Sequence, residues 1–387
     1  MFKNRYFSAN ARETDQVIKS LNNLFHGSIF MKKTPEYLLM SENMDQLFLS
    51  PSLYHRSLLE KHTPSLSFSS HLHEAEKHSQ LVRKKFLELL RVDLSNRPAE
   101  VPWKSLGRKR CPWGTIEKVV FRSCDCCDVP GFLCLPDHPV SDTIFICLQG
   151  HSGDGIHVSI SASPENWNEE KPAAGDRDFA FGCLKRGIAA FCPEQSCFGE
   201  RLEKVQEKRA KSFCHDAFVQ ALLLGKTLMG ERVYDVARSI DFLKSRPETA
   251  NMKIGIMGNS GGGTVSVYSA AVLPEIDFCM PSCSFGTYAG SKMRVYQCGC
   301  GYIPGILEFM EMDDVMALFA PKPVVIVAGK EDPIIPLESV TTGFERLKQV
   351  YAARGAQEHC HLVIGSEGHR FYADAAWEKM LPEVLNG

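Results

Sequence analysis

Residues 254–265 read IGIMGNSGGGTV, an apolar strand-like run that passes through one polar side chain into three glycines. Two chemistries use such a junction: a glycine loop that cradles phosphate, or a nucleophile held up on a strained strand-to-helix turn. The phosphate reading needs a G-K-[ST] ending, or a G-x-G-x-x-G with an acidic residue about 20 positions further on. The sequence supplies neither. The nucleophile reading needs G-x-S-x-G, which Gly258, Ser260 and Gly262 meet. Side chains at the flanking positions would clash where the backbone turns, hence glycine. A helix starting near Gly261 would offer unpaired N–H groups, and the positive end of its dipole, to a developing oxyanion.

A serine hydroxyl is a weak nucleophile until a base takes its proton, and that base needs orienting. In an open α/β sheet the partners come from loops at the carboxyl ends of later strands. VVIVAGKEDPIIP (324–336) runs from an apolar strand into Glu331 and Asp332, and HLVIGSEGHRF (361–371) runs from a strand into a loop carrying His369. Asp332 follows Ser260 by 72 residues and His369 follows Asp332 by 37. Ser, Asp, His is the chain order of an α/β-hydrolase triad. Each member has an ordinary alternative, as a capping serine, a turn aspartate or a loop histidine. All three at strand ends, in that order, select the catalytic reading.

The rest of the chain agrees. TIFICL (143–148), IAAFC (188–192), IGIM (254–257), IDFCM (276–280), VVIVA (324–328) and HLVI (361–364) read as buried parallel strands. Helical spacing separates them, with Val233, Val236, Ala237, Ile240 and Leu243 on one face and a further helix over about 337–352. Residues 116–122 and 131–135 suggest an antiparallel edge hairpin. The expectation is an α/β fold, a mostly parallel central sheet with helices on both faces, over residues 79–387. Residues 1–78 are expected to be a partly helical N-terminal extension, and Leu81, Val82, Phe86, Leu89 and Leu90 predict a helix over 79–92.

Composition removes other classes. A formal net charge of −2 gives no electrostatic reason to expect nucleic acid or an anionic membrane surface. No apolar run reaches the roughly 20 residues that span a bilayer. The opening MFKNRYFSANARETDQ has no apolar signal core, and fifteen cysteines, an odd count, suit reduced thiols. A cytoplasmic location is therefore expected, with self-association left open.

From about residue 79 onward the sequence resembles the acetyl xylan esterase and cephalosporin C deacetylase branch of the α/β-hydrolase superfamily, close to dienelactone-hydrolase-like proteins. LQGHSGDG (148–155), CFGERL (197–202), LLLGKTLMGERVYDVARSIDFLKSRPE (222–248), GIMGNSGGGTVSVYSAA (255–271), CGCGYIPGI (298–306), APKPVVIVAGKEDPIIP (320–336) and GSEGHRF (365–371) carry it. The resemblance implies an α/β-hydrolase fold and a serine carboxylesterase with no cofactor and no metal, removing small acyl groups from a polar alcohol such as a carbohydrate. It further implies an oxyanion hole from the backbone N–H groups of His151 and Gly261, supported by Gln149 and Gly150, with Gln149 standing where the family commonly has histidine. Dienelactone hydrolases proper carry cysteine where this chain has Ser260.

Two other readings stay open: a prolyl-oligopeptidase-like peptidase, disfavoured because no propeller repeats of about 40 residues are present, and a non-catalytic binding protein on the same fold. Secondary candidates are weaker. His71, His73 and His78 read as a solvated stretch, and CDCC (124–127) and CGC (298–300) as loop thiols without zinc-type pairing. Glu200 and Arg201 read as an ion pair near the site, and Asp313 and Asp314 as helix-start residues. Loops 152–176 and 284–305, the latter with Tyr288, Tyr296 and Tyr302, are expected to crowd the site's mouth.

Overall fold

The computed structural model describes residues 49–203 and 214–386, so most of the expected extension lies outside the described residues. The chain divides into two compact units, Met1–Glu60 and Lys61–Gly387. The described part of the first contains helix α1 (Pro51–Glu60), with no buried residue. Residues 61–78, read from sequence as extension, lie in the larger unit. There the Leu66 N–H donates to Phe309 O at 2.7 Å, the Phe68 N–H to Asp314 Oδ1 at 2.7 Å, and the Phe68 ring is buried. His78 is likewise buried, stacked on His71 at 4.0 Å and bonded through Nε2 to Leu66 O, rather than solvated.

Helix α2 (Ala75–Leu90) starts earlier than its apolar periodicity suggests and ends at Arg91 in the left-handed region, φ 56°. Val82, Phe86 and Leu90 face inward, whereas Leu81 turns to solvent. The sheet then builds in chain order. It comprises β1 (Trp103–Cys111), β2 (Gly114–Cys124), β3 (Cys127–Pro136), β4 (Thr143–Leu148), β5 (Ala189–Pro193), β6 (Lys253–Asn259), β7 (Ile276–Ser282), β8 (Val324–Gly329) and β9 (Cys360–Gly365). Its order is β1-β2-β3-β5-β4-β6-β7-β8-β9. The first three strands and the β3–β5 pair are antiparallel, and the rest are parallel. The expected hairpin is β2–β3, its tight turn made by Asp125 and Cys126 within CDCC. The exposed edge strand β1, WKSLGRKRC, lacks an apolar signature, and it escapes a reading based on hydrophobicity.

Both faces of strands β4 to β8 are buried, which is why they are near-continuous apolar runs, whereas HLVI (361–364), expected to be buried, lies on the edge strand β9 and leaves Ile364 exposed. On β4, Ile144, Ile146 and Leu148 enter one core while Phe145 and Cys147 enter the other; on β8, Val324, Ile326 and Ala328 oppose Val325 and Val327. Counting α1 and α2 as above, the remaining helices are α3 (Phe179–Leu184), α4 (His215–Leu223), α5 (Leu228–Lys244), α6 (Gly261–Val272), α7 (Met312–Ala317), α8 (Leu337–Ala353) and α9 (Ala373–Asn386). Helices α2, α5, α6, α7 and α8 cover the first face, and α3 and α9 cover the second. At the start of α7, Asp314 closes a capping box with Glu311. Among the described residues no helix is long and apolar enough to cross a membrane.

Register aligns the carboxyl ends. Leu148 stands opposite Gly258, Asn259 opposite Ser282, and Gly329 opposite Gly365. The chain leaves β4 toward β5 on one side and reaches β6 on the other, so a crevice opens at the carboxyl ends of β4 and β6.

The ring of Phe86 meets that of Tyr268 on α6 edge-on at 5.3 Å, and both are fully buried. Phe86→Ala is therefore expected to cost about 3–5 kcal/mol in urea denaturation. A loss below about 1 kcal/mol would show that α2 packs only loosely on the helix behind Ser260.

Candidate active site

Ser260 follows β6 and caps α6 with φ 57° and ψ −122°, a conformation that L residues rarely adopt and that costs on the order of 1–3 kcal/mol. The surroundings hold it there. Its N–H donates to Ser282 O at 2.8 Å, and its carbonyl accepts from the Thr264 N–H at 3.0 Å. The flanking glycines are steric requirements: a Cβ on Gly258 would lie 2.6 Å from Leu148 O, and one on Gly262 only 2.1 Å from it.

Asp332 follows β8 in a turn that fixes its carboxylate. Oδ1 accepts from the Ile334 and Ile335 N–H groups at 2.8 and 3.1 Å. Oδ2 lies 2.8 Å from Nδ1 of His369, which follows β9. A carboxylate only accepts, so Nδ1 carries the proton and Nε2 is left with its lone pair. Nε2 is buried and has no hydrogen-bond partner, Ser260 included. Burial raises the pKa of Asp332, but the hydrogen bond and charge of His369 and the two turn N–H groups outweigh it, and the value falls below the ordinary one.

Ser260 and His369 line one cavity of about 330 Å³, together with Gly150, His151 and Gly261. The backbone N–H groups of His151 and Gly261 have no acceptor among the described residues. Gln149 is buried and braces the loop behind them. Its Nε2 donates to Ser159 Oγ at 2.6 Å and to Arg177 O at 2.8 Å, while its carbonyl accepts from Gln195. The arrangement is competent for acyl transfer: a hydroxyl, an unengaged imidazole nitrogen oriented by a carboxylate, and two residues whose backbone N–H groups lack an acceptor line one cavity.

Other expectations change. Glu200 and Arg201 do not pair with each other: Glu200 meets Lys118 at 2.9 Å, and Arg201 meets Asp235 at 2.7 Å. Adjacent side chains on a short turn diverge, and each finds its own partner. Tyr288 is buried against Tyr268, its hydroxyl 2.8 Å away, and Tyr302 donates to Lys292 O; of the three tyrosines only Tyr296 lines the cavity. Loop 152–176 contributes no lining residue, Arg177 just beyond it taking that place. Cys283 and Lys292, which no sequence pattern marks, also line the cavity, and burial lowers the Lys292 pKa to about 8. Cys298 and Cys300 are not simple loop thiols, because His151 and Cys214 converge on them. Cys214 stands alone in sequence, and nothing local marks it.

Residues 183–378 match the model of the dienelactone hydrolase family. The chain is 27% identical over 179 residues to YtaP of Bacillus subtilis (strain 168), a hydrolase by name, covering 44% of this chain and 56% of that protein. It thus spans little more than half the length of this relative. A Bacteroides fragilis structure named as an acetyl xylan esterase superposes with TM-score 0.66 at 16% identity, covering 87% of this chain and 86% of the other. A glucuronoyl esterase from Solibacter usitatus does so with TM-score 0.55 at 13% identity, covering 78% and 91%. At such identities the likeness is one of fold, an α/β-hydrolase.

The depressed pKa of Asp332 has a consequence for stability. The carboxylate stabilises the folded state above its unfolded value of about 3.9, and that contribution is lost as pH falls through the lower folded value. The Tm of the wild type should therefore drop on acidification below about pH 4. Asp332→Asn should lack this component, so the two melting curves should converge as pH is lowered from 6 to about 3. A Tm difference that stays constant over that range would rule it out.

Proposed function

We propose that this chain, which belongs to the dienelactone hydrolase family by its match over residues 183–378, is a serine carboxylesterase that releases small acyl groups from polar alcohols. One observation carries the reading: the Nε2 atom of His369 is buried, unpartnered and oriented from behind by Asp332, on the wall of the cavity that Ser260 also lines. An imidazole left this way is a general base awaiting a proton.

In this reading Ser260 Oγ attacks the ester carbonyl carbon as His369 Nε2 takes the hydroxyl proton. The N–H groups of His151 and Gly261 hold the tetrahedral oxyanion. Its collapse expels the alcohol, protonated by His369, and leaves an acyl-serine. Water, deprotonated by the same nitrogen, then hydrolyses the acyl-enzyme and restores Ser260. Asp332 keeps the tautomer and stabilises the imidazolium. These steps ask no metal or organic cofactor to touch the reacting atoms. The chemistry belongs to the domain read as 79–387, with a small-molecule ester as partner and a cytoplasmic setting that suits the chain's fifteen cysteines.

Ser260→Ala should fold with an unchanged Tm and lose at least about 10³-fold in turnover, because triad members act as a unit. A fluorophosphonate probe should label Ser260 in the folded wild type. Turnover near wild type in the variant, or no label, would favour a binding protein on a hydrolase fold.

Acyl size follows from the cavity. About 330 Å³ is at the small end for ligand sites, and no long apolar groove adjoins Ser260 among its lining residues. Each methylene left unhoused forgoes up to about 0.8 kcal/mol. Across p-nitrophenyl esters from acetate to decanoate, kcat/KM should peak at acetyl or propionyl and fall beyond butyryl. A maximum at octanoate or longer would exclude the small-acyl reading.

A further inference from the structure

We propose that His151, Cys214, Cys298 and Cys300 form a structural zinc site that fastens the His151 loop to the opposite wall of the cavity. The four residues come from three separate places: the loop after β4, the N-cap of α4, and the segment between β7 and α7. Their ligand atoms nevertheless all lie within 4.8 Å of one another. The Nε2 atom of His151 is 3.2 Å from the Cys214 sulfur and 3.3 Å from that of Cys300, and the Cys214 and Cys298 sulfurs are 3.6 Å apart. A tetrahedron with Zn–S of about 2.3 Å and Zn–N of about 2.0–2.1 Å has S···S edges of about 3.8 Å and N···S edges of about 3.5 Å. For these three pairs, shifts of a few tenths of an ångström reach those edges, and the remaining pairs lie within 4.8 Å. One imidazole and three thiols are a Cys₃His set, a structural zinc composition.

Charge supplies an independent argument. Arg232 is 1% exposed, and no carboxylate pairs with it among the described residues. Its guanidinium donates instead to the Cys300 sulfur at 3.4 Å, to the Cys214 sulfur at 3.7 Å and to Ser196 O at 2.9 Å, and it lies 4.6 Å from the centroid of the Phe198 ring. A buried cation needs an anion beside it. Three thiolates on one Zn²⁺ carry a net charge of −1, which the guanidinium balances while its N–H groups orient the sulfurs. With neutral thiols it faces no countercharge among the described residues.

Four protein ligands leave no open coordination position, so this zinc would not act as a Lewis acid on substrate. Coordination through Nε2 would place the imidazole proton on Nδ1, the atom nearest the position of a Cβ built on Gly261, at 3.2 Å. It would also fix the backbone of the loop that lines the cavity through Gly150 and His151. The CGC spacing hides the site in sequence, since the other two ligands lie 84 and 149 residues away.

The test reads metal rather than turnover, so it is separate from the esterase reading. The full chain, without a polyhistidine tag, is purified under reducing conditions with no chelator and analysed for metals. One zinc per chain is expected. Cys298→Ser with Cys300→Ser should abolish retention, whereas Cys124→Ser with Cys126→Ser, in the β2–β3 turn, should keep it. Wild-type protein stripped of metal and titrated with Co²⁺ should develop the visible bands of a tetrahedral thiolate complex, a measurement that needs no variant to fold. Reduced wild type that holds no zinc and takes up no Co²⁺ would overturn the proposal. So would zinc retained in full by the Cys298/Cys300 variant, or a native Cys214–Cys298 disulfide in metal-free protein.

Discussion

The structure depends on one steric constraint, the approach of the β6–α6 turn to the carbonyl of Leu148 at the end of β4. Gly258 and Gly262 both abut that oxygen so closely that even a methyl group would displace the backbone. With β4 and β6 in register up to Leu148 and Gly258, the turn has no room to relax. Ser260 is thereby held at φ 57° against its own preference, and α6 begins directly beneath it. Strain at this residue persists because the sheet register and the helix start both determine the same few atoms.

Alignment of the remaining strand ends converts that local geometry into a site. Ser282 at the end of β7 accepts from the Ser260 N–H, and the paired ends of β8 and β9 bring Asp332 and His369 together. Ser260, Asp332 and His369 each emerge from the end of a different strand, within four residues of it. The carboxylate is held by two turn N–H groups as well as by the imidazole, so its orientation survives without substrate.

Electrostatics distinguish two groups behind the cavity wall. The Asp332 carboxylate backs His369, which lines the cavity with Ser260. Elsewhere a fully buried guanidinium sits against sulfur atoms instead of a carboxylate. His151 also lines the cavity, and its ring meets the Cys214 and Cys300 sulfurs that this guanidinium contacts. The outer layer sets these positions from behind. Asp314 joins residues 67 and 68 to α7, and Arg354 joins α8 to α2 through Ala75 O.

The sequence by itself determined what depends on local pattern. Apolar runs marked β4 to β9, those of β4 to β8 buried on two faces, and the glycines around Ser260 marked a turn that tolerates no side chain. The order of Ser260, Asp332 and His369 was legible because each follows its strand directly. What escaped depends on partners distant in sequence. β1 is polar and forms only because β2 offers an edge to pair with. Glu200 and Arg201 are neighbours in the chain, and only the fold decided that they serve Lys118 and Asp235. Tyr288 looks like a pocket residue until the hydroxyl of Tyr268 is found waiting in the core. Cys214 and His151 join Cys298 and Cys300 only once three loops converge, because spacing records a contact when its partners lie on one element and is silent when packing brings them together.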